Sequence, residues 1–342
     1  MSAATRREPD PGPPCDAADG HRQLLAEMLD TLVATAARAP SVHNTQPWRF
    51  RVSDGVLEMR ADPSRRLDRV DPDGREMLIS CGAALFGLRL AVRQSGYRPI
   101  VELLPTRAQP ELLARVQLGA PAPLGSGEHT LQAALRRRHT HRGPFAAEPL
   151  PAGLLAAMQR DAEAEAATLV LIHEPGRYGQ LAALLAAADR RQRQHPALIR
   201  ELRAWTRQQA SPARDGVPAR AYPQRVHRPG ALAQRDFDLG RGWGTLAAAG
   251  DVPAATAVLT TGGDTPADWL RAGQALHRLL LRAASEWVFA SLHTQALELV
   301  PIRAAIRAQL RLPGAPQMLL QLGRARIAPL TPRRPVGELI GP

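Results

Sequence analysis

Two short stretches of the chain gather side chains suited to a flat, phosphate-bearing molecule. The first is Ala39-Pro-Ser-Val-His-Asn-Thr-Gln-Pro-Trp-Arg-Phe50. Pro40 and Pro47 fix a tight non-helical path. Along it Ser41, Asn44 and Gln46 offer hydroxyl and amide groups beside exposed backbone N–H. Such a loop can hydrogen-bond the edge of a heteroaromatic ring or a polyol chain, or it can simply satisfy its own turn. The second stretch is Leu135-Arg-Arg-Arg-His-Thr-His-Arg-Gly-Pro-Phe145. Here Arg136, Arg137, Arg138 and Arg142 collect beside the Thr140 hydroxyl where a helix ends. A guanidinium gives forked contacts to phosphate and a hydroxyl completes the oxygen shell, although a solvated basic helix end reads the same way. A third basic patch, Thr331-Pro-Arg-Arg-Pro335, lies near the C-terminus.

Other chemistries lack their signatures. The chain has no GxGxxG, P-loop, HExxH or GxSxG, which removes the usual dinucleotide, nucleotide, zinc-protease and serine-hydrolase patterns. His139 and His141 flank Thr140, and His277 and His293 sit in runs read as helical. No HxxxH pair exists, so no metal site is expected. Cys15 and Cys81 are the two cysteines; they are distant and differ in context, which speaks against a disulfide framework.

Elements that would position these segments follow from the hydrophobic pattern. Leu24, Leu25, Met28, Leu32 and Val33 recur at helical spacing, and the helix stops at Ala39-Pro40. Trp48 to Val52 and Val56 to Met59 alternate about Asp54-Gly55, a hairpin signal. A helix is expected over Met77 to Ser95 with Gly96 closing it, and then strands at Val101–Leu104 and Ala114–Gly119. A second set follows: helices over Leu131–Arg138 and Leu150 to about Ala167, then a strand at Thr168–His173.

Two internal echoes in the same order suggest duplication. Gly273-Gln-Ala-Leu-His-Arg-Leu-Leu-Leu281 matches Gly82-Ala-Ala-Leu-Phe-Gly-Leu-Arg-Leu90 in Gly, Ala and Leu positions, and Met318-Leu-Leu-Gln-Leu-Gly323 echoes Ala114-Arg-Val-Gln-Leu-Gly119. Residues 1–20 read as a disordered arm, 21–125 as a first repeat and 126–342 as a second. The second carries an insertion at about 174–271, partly helical (Tyr178 to Arg207) and Pro/Arg/Gly-rich from Ser211 to Gly250. A connection that long suits a lid or a peripheral ornament.

With 342 residues, 44% hydrophobic, the chain can bury two cores. Aromatics are 4%, so Ala, Leu and Val must fill them. The net charge is +12, and all 44 basic residues are Arg. Arg without Lys along the whole chain reads as coding bias, and no basic helix is interleaved with aromatics, so nucleic acid is not the expected partner. No apolar run reaches about 18 residues and no signal-peptide plan opens the chain; a cytoplasmic protein with no membrane partner is expected.

Pro40-Ser41-Val-His-Asn44-Thr-Gln46-Pro47-Trp48 resembles the Pro-Ser-x-x-Asn-x-Gln-Pro-Trp segment of FMN-dependent nitroreductases. Arg138-His139-Thr140-His-Arg142, followed by Phe145, resembles that family's Arg-His-Ser/Thr-x-Lys/Arg…Phe segment. In ordinary members the basic motif comes first and flavin binds between two identical subunits. The reversed order here is similar to the Acg-type branch, over about residues 22–340. The resemblance implies an α+β nitroreductase-like fold, two unequal repeats forming an intramolecular pseudo-dimer around one FMN. It implies that Arg138, His139 and Thr140 meet the phosphate and ribityl oxygens and that Arg142 lies near the ring's N1–C2=O edge. Pro40, Ser41, Asn44 and Gln46 would approach the flavin from the other repeat, and Arg333 matches a C-terminal phosphate-binding Arg. Ser291, in Glu286-Trp-Val-Phe-Ala-Ser-Leu-His293, is the candidate donor to flavin N5. The activity implied is ping-pong hydride transfer from NAD(P)H to a small-molecule electron acceptor, a nitroaromatic or quinone. The alternative is a flavin-storage protein with a shielded ring. The oligomeric state implied is a monomer with a pseudo-dimeric core, or a weak homodimer.

Overall fold

The computed structural model describes residues 15–146, 148–222, 224–226, 232–243, 245–247, 255–325 and 330–341. In chain order these form α1 (Cys15–Ala36), β1 (Trp48–Ser53), β2 (Val56–Ala61), α2 (Arg75–Gln94), β3 (Tyr97–Leu103), β4 (Leu112–Pro121) and α3 (Ser126–Ala134). Then come α4 (Leu154–Glu163), β5 (Ala167–Leu171), α5 (Pro175–Arg193), α6 (Pro196–Ala204) and the short strands β6 (Thr206–Arg207), β7 (Val217–Pro218), β8 (Gln224–Val226) and β9 (Thr245–Ala247). The chain closes with β10 (Ala255–Thr261), α7 (Pro266–Ser285), β11 (Val288–Leu292), α8 (Val300–Gln309) and β12 (Ala315–Arg324).

Two four-stranded sheets share one plan. The first runs β1-β2-β4-β3 and the second β5-β10-β12-β11. All pairs are antiparallel, and in each sheet a long helix, α2 or α7, joins the second strand to the third. Even the irregularities correspond. The β2–β4 register shifts between Met59 and Arg60, and the β10–β12 register between Leu259 and Thr260.

The helices α2 and α7 meet through the two echoed glycines. A Cβ on Gly82 would lie 2.2 Å from the Leu270 carbonyl oxygen, and one on Gly273 would lie 2.0 Å from that of Ile79. Each glycine thus faces the carbonyl three residues before the other. Reciprocity of this kind is what two related copies make across a twofold axis. His277 reinforces the crossing, its Nδ1 lying 2.7 Å from the Ala83 carbonyl oxygen.

Two segments also tie distant parts of the chain together. After β12 the C-terminal segment returns to the first sheet, where Phe50 N–H donates to Leu339 O at 2.7 Å and Gly341 N–H to Phe50 O at 2.8 Å. The segment after α3 lies along β11, with a Thr140–Ala290 bridge and His141 N–H donating to Ala290 O at 2.9 Å. Arg333 and Arg138 are delivered by these two segments.

Several expectations are corrected by this arrangement. The arm expected over 1–20 is helical from Cys15, where Asp16-Ala-Ala18 continues the helix; residues 1–14 lie outside the described residues. His293 does not sit in a helix, because Val288–Leu292 is β11; its run of apolar residues is a strand buried on both faces, which periodicity cannot separate from a buried helix. The insertion expected over about 174–271 takes in β10, which pairs with both β5 and β12. The excursion therefore spans 172–254 and replaces the turn between the first two strands of its sheet, a turn that is only Asp54-Gly55 in the other. The helical part expected from Tyr178 to Arg207 is two helices, parted at His195-Pro196.

Among the described residues, no helix is long and apolar enough to cross a membrane.

Candidate functional site

A cleft with about 790 Å³ of unfilled space opens where the two units meet the excursion. Pro40, Ser41 and His43 form one wall, Thr140, Arg142 and Ser291 the wall from the second unit, and Tyr222, Gln234, Arg235 and Phe237 the roof. Glu76 and Gln295 also face it.

The Pro40–Gln46 loop is held in an unusual conformation. His43, Asn44 and Gln46 have φ of 44°, 58° and 50°, a region that side chains other than Asn and Asp rarely adopt. Its bonds explain why it persists. Val42 N–H donates to Ser80 Oγ at 3.0 Å and Gln46 N–H to Ser41 Oγ at 3.0 Å. The amides of Asn44 and Gln46 turn away from the cleft. Asn44 Nδ2 donates to Gly216 O and Pro332 O, at 3.1 and 3.2 Å, and its Oδ1 accepts from Arg333 Nη1 at 3.0 Å. Gln46 Nε2 donates to Arg214 O at 2.9 Å, and its Oε1 accepts from Arg334 N–H at 2.8 Å. These two residues tie the excursion and the C-terminal segment to the loop.

Beside the cleft two guanidiniums converge on the carbonyls just after α1. Arg333 Nε donates to Ala37 O at 2.8 Å and its Nη2 to Ala39 O at 3.1 Å, while Arg138 Nη2 donates to Arg38 O at 3.1 Å. The carbonyl end of a helix favours positive charge, yet it does not satisfy these groups. Arg138 is 5% exposed, and its Nε and Nη1 have no hydrogen-bond partner; neither has Arg142 Nη1. No carboxylate pairs with Arg138, Arg142 or Arg333 among the described residues. Burial first, then mutual repulsion with Arg333, Arg142 and Arg38, pushes the Arg138 guanidinium down to about 9. Arg142 falls to about 10 by burial, and Arg333 to about 10 by burial and by Arg38 and Arg142. Buried, unpaired and mutually repelling cations cost free energy until an anion joins them.

Of the predicted residues, Pro40, Ser41, Thr140, Arg142 and Ser291 line the cleft; Arg138 and Arg333 form its cationic end behind Arg142. His139 is not part of the lining. Its ring stacks on Phe289 with centroids 4.0 Å apart, and Nδ1 lies 2.9 Å from Arg137 O. Packing in place of ligand contact keeps it neutral: burial, then nearby Arg138, pushes it down to about 4. Ser291 Oγ accepts a long bond, 3.4 Å, from Gln234 Nε2 on the roof.

Sequence reasoning missed the other face of the cleft. Glu76, 4% exposed, sits in the first turn of α2, where an acidic residue reads as an ordinary helix-end charge. Arg235 pairs with Glu298, His43 meets Phe237 edge-on at 5.4 Å, and Arg142 lies 5.5 Å from the Phe237 ring centre. Tyr222, Arg235 and Phe237 belong to the excursion, whose sequence has no periodic pattern to place them. Among the described residues, no group of His, Cys, Asp and Glu has the makings of a metal site.

No protein-family model matches the sequence. The chain is 34% identical over 325 residues to a Mycobacterium tuberculosis H37Rv protein provisionally named NAD(P)H nitroreductase Rv3131, covering 92% of this chain and 91% of that one. It is 29% identical over 321 residues to the protein of the same organism provisionally named NAD(P)H nitroreductase acg, with 92% and 96% covered. Among solved structures, an FMN-bound nitroreductase from Bacteroides fragilis aligns with 60% of this chain and 93% of its own, at 12% identity and a TM-score of 0.36. An FMN- and NADPH-dependent nitroreductase, NfnB, aligns with 62% and 97%, at 18% identity and a TM-score of 0.39.

Proposed function

Because the chain belongs to the nitroreductase family, in the branch that includes Acg, we propose that it binds one FMN in this cleft and acts as an NAD(P)H-dependent oxidoreductase. The observation that carries this reading is the cationic cluster beside the cleft: buried Arg138 and half-buried Arg142, each with nitrogens that lack a hydrogen-bond partner, and half-buried Arg333, none of them with a carboxylate partner among the described residues. The orphaned Arg138 and Arg142 nitrogens fit a phosphate and an electron-rich ring edge, since charge-assisted bonds are the strongest partners a guanidinium can take.

In this reading Arg138 and Arg333 hold the phosphate, and Thr140 and Ser41 offer hydroxyls to the ribityl chain and ring. Asn44 acts at one remove, by fixing Arg333. Arg142 supplies positive charge beside the ring, which favours its anionic reduced form. FMN itself supplies the hydride chemistry, taking two electrons from NAD(P)H and giving them in a second step to a nitroaromatic or quinone. The two sheet-and-helix units would be halves of an intramolecular pseudo-dimer, with 126–342 as the half that bears the lid.

A second reading, FMN storage without turnover, is favoured by one observation. The roof is fastened to both units, through Asn44 and Gln46 on one side and through Gln295 Nε2 to Ala233 O, at 2.7 Å, on the other. The visible spectrum of the purified protein, followed anaerobically with NADPH, separates the two. Flavin bands that bleach support the reductase; bands that persist support storage. No bands after FMN is supplied overturn both.

A further inference from the structure

Among the described residues that line the cleft, Glu76 is the one carboxylic acid. Glu76 Oε1 accepts from Arg75 Nη2 at 3.2 Å, while no hydrogen bond reaches Oε2. Behind it lies a closed set of charges. Asp71 comes from the turn before α2, Glu298 from the turn before α8, Arg75 from α2 and Arg235 from the roof; Arg303 of α8 is nearby but pairs with Asp264 at 3.1 Å. Glu298 takes Arg235 and a 2.8 Å bond from Gln192 Nε2. Asp71 caps α2, accepting from Met77 N–H at 2.8 Å, but burial outweighs that bond and raises its carboxyl as well. Of these carboxyls Glu76 is the one that lines the cleft, so its proton is the one within reach of a molecule bound there.

We propose that Glu76 is the proton donor to a two-electron acceptor bound in the cleft, such as a quinone, whose oxygens must be protonated on reduction. The proposal rests on the flavin reading above. Its step balances. A hydride from the reduced flavin adds to the quinone, which takes both electrons and becomes the hydroquinone monoanion. The Glu76 O–H bond breaks as the quinone O–H bond forms, neutral hydroquinone leaves, and the carboxylate is reprotonated from water.

Burial, and then Glu298, hold the Glu76 carboxyl far above its ordinary range, at about 8, against the pull of Arg75. A group poised near the working pH both holds its proton and gives it up. His43, on the same wall, is held neutral by burial and by Arg235 and Arg142, so it has no proton to give.

The test compares acceptors that differ in their need for a proton. FMN-loaded protein, reduced anaerobically with dithionite, is mixed with a benzoquinone or with ferricyanide, which takes single electrons and no proton. In Glu76→Gln the quinone-to-ferricyanide rate ratio should fall at least tenfold, and in the unsubstituted protein the quinone rate should fall as pH rises past about 8. An unchanged ratio, with or without slower rates overall, overturns the proposal. Protein free of flavin gives an independent reading by carbon-13 NMR of labelled glutamate carboxyls. One carboxyl should titrate above neutrality and be missing from Glu76→Gln; if all titrate in the ordinary range, Glu76 is not the donor. Failure to retain FMN would count against the flavin site itself, while the carboxyl titration still decides whether Glu76 keeps its proton.

Discussion

Equivalent rows of side chains cross the outer faces of the two sheets, and they are made of opposite materials. In the first sheet the row is Arg51, Glu58 and Arg115; in the second, counted from the matching bulges, it is Val170, Val258 and Leu319. Glu58 is shared by Arg51 at 2.8 Å and Arg115 at 3.5 Å, with Arg60 at 3.3 Å. Its burial alone would raise the carboxyl, but Arg51, Arg60 and Arg115 outweigh it and hold it below the usual range. Val258 and Leu319 instead pack under Leu181 and Leu185 of α5 and Ile306 and Leu310 of α8. Helix α5 of the excursion that roofs the cleft thus also covers the second sheet, together with α8 from the β11–β12 connection. One plan, opened at two connections, has yielded a half that faces water and a half buried on both sides.

The symmetric part of that comparison breaks most sharply at the helix crossing. Gly82→Leu and Gly273→Leu should each destabilise the fold by about 3 kcal/mol or more, because their side chains would meet backbone rather than a movable side chain. Equal losses in denaturant midpoints are expected from the reciprocal geometry; a mild effect at one glycine alone would show the halves are not equivalent there.

Next in size, Leu319→Ala should cost about 2–5 kcal/mol, the range for a buried leucine that leaves a cavity. Chemical denaturation measures it, and a loss below 1 kcal/mol would mean that α5 and α8 do not seal the second sheet.

Acid should act through buried histidines, which lie mainly in the second half. His277 and His293 are lowered to about 3 and 4, first by burial. A histidine depressed in the fold leaves the unfolded chain to bind the proton first. Stability is then complete above the ordinary value of 6.5 and is lost as pH falls from there to about 3, at up to about 1.4 kcal/mol per unit per group. His277→Gln should make the slope of unfolding free energy between pH 6 and pH 4 shallower by about one proton; an unchanged slope would show that His277 is already charged.

The smallest effect belongs to the open row. Arg51 is 39% exposed at its side chain, so Arg51→Ala should change stability by no more than about 1 kcal/mol. A loss as large as that of Leu319→Ala would contradict the contrast between the faces.

The first half was the more legible. Around Asp54-Gly55 the residues alternate because one face of β1 and β2 meets water, and the echoed segments pointed to a duplication whose glycines the structure places at the helix crossing. In the second half β10 escaped notice. Ala255-Thr-Ala-Val-Leu-Thr-Thr261 is buried at every position, and a strand covered on both faces loses the alternation that identifies it.

The sequence by itself determined the motifs, the duplication and the residue types able to take a phosphate and a ring, because these depend on local order along the chain. Tertiary structure alone decided which of them share a site. Arg138 and Arg333, far apart in sequence, meet just after α1 because the segments that follow α3 and β12 both run to it. Asn44 and Gln46 became braces instead of lining, and Glu76 changed from a helix-end charge into a buried acid facing the cleft. Burial and repulsion between charges arise only when distant segments exclude water together, and no spacing along the chain records that.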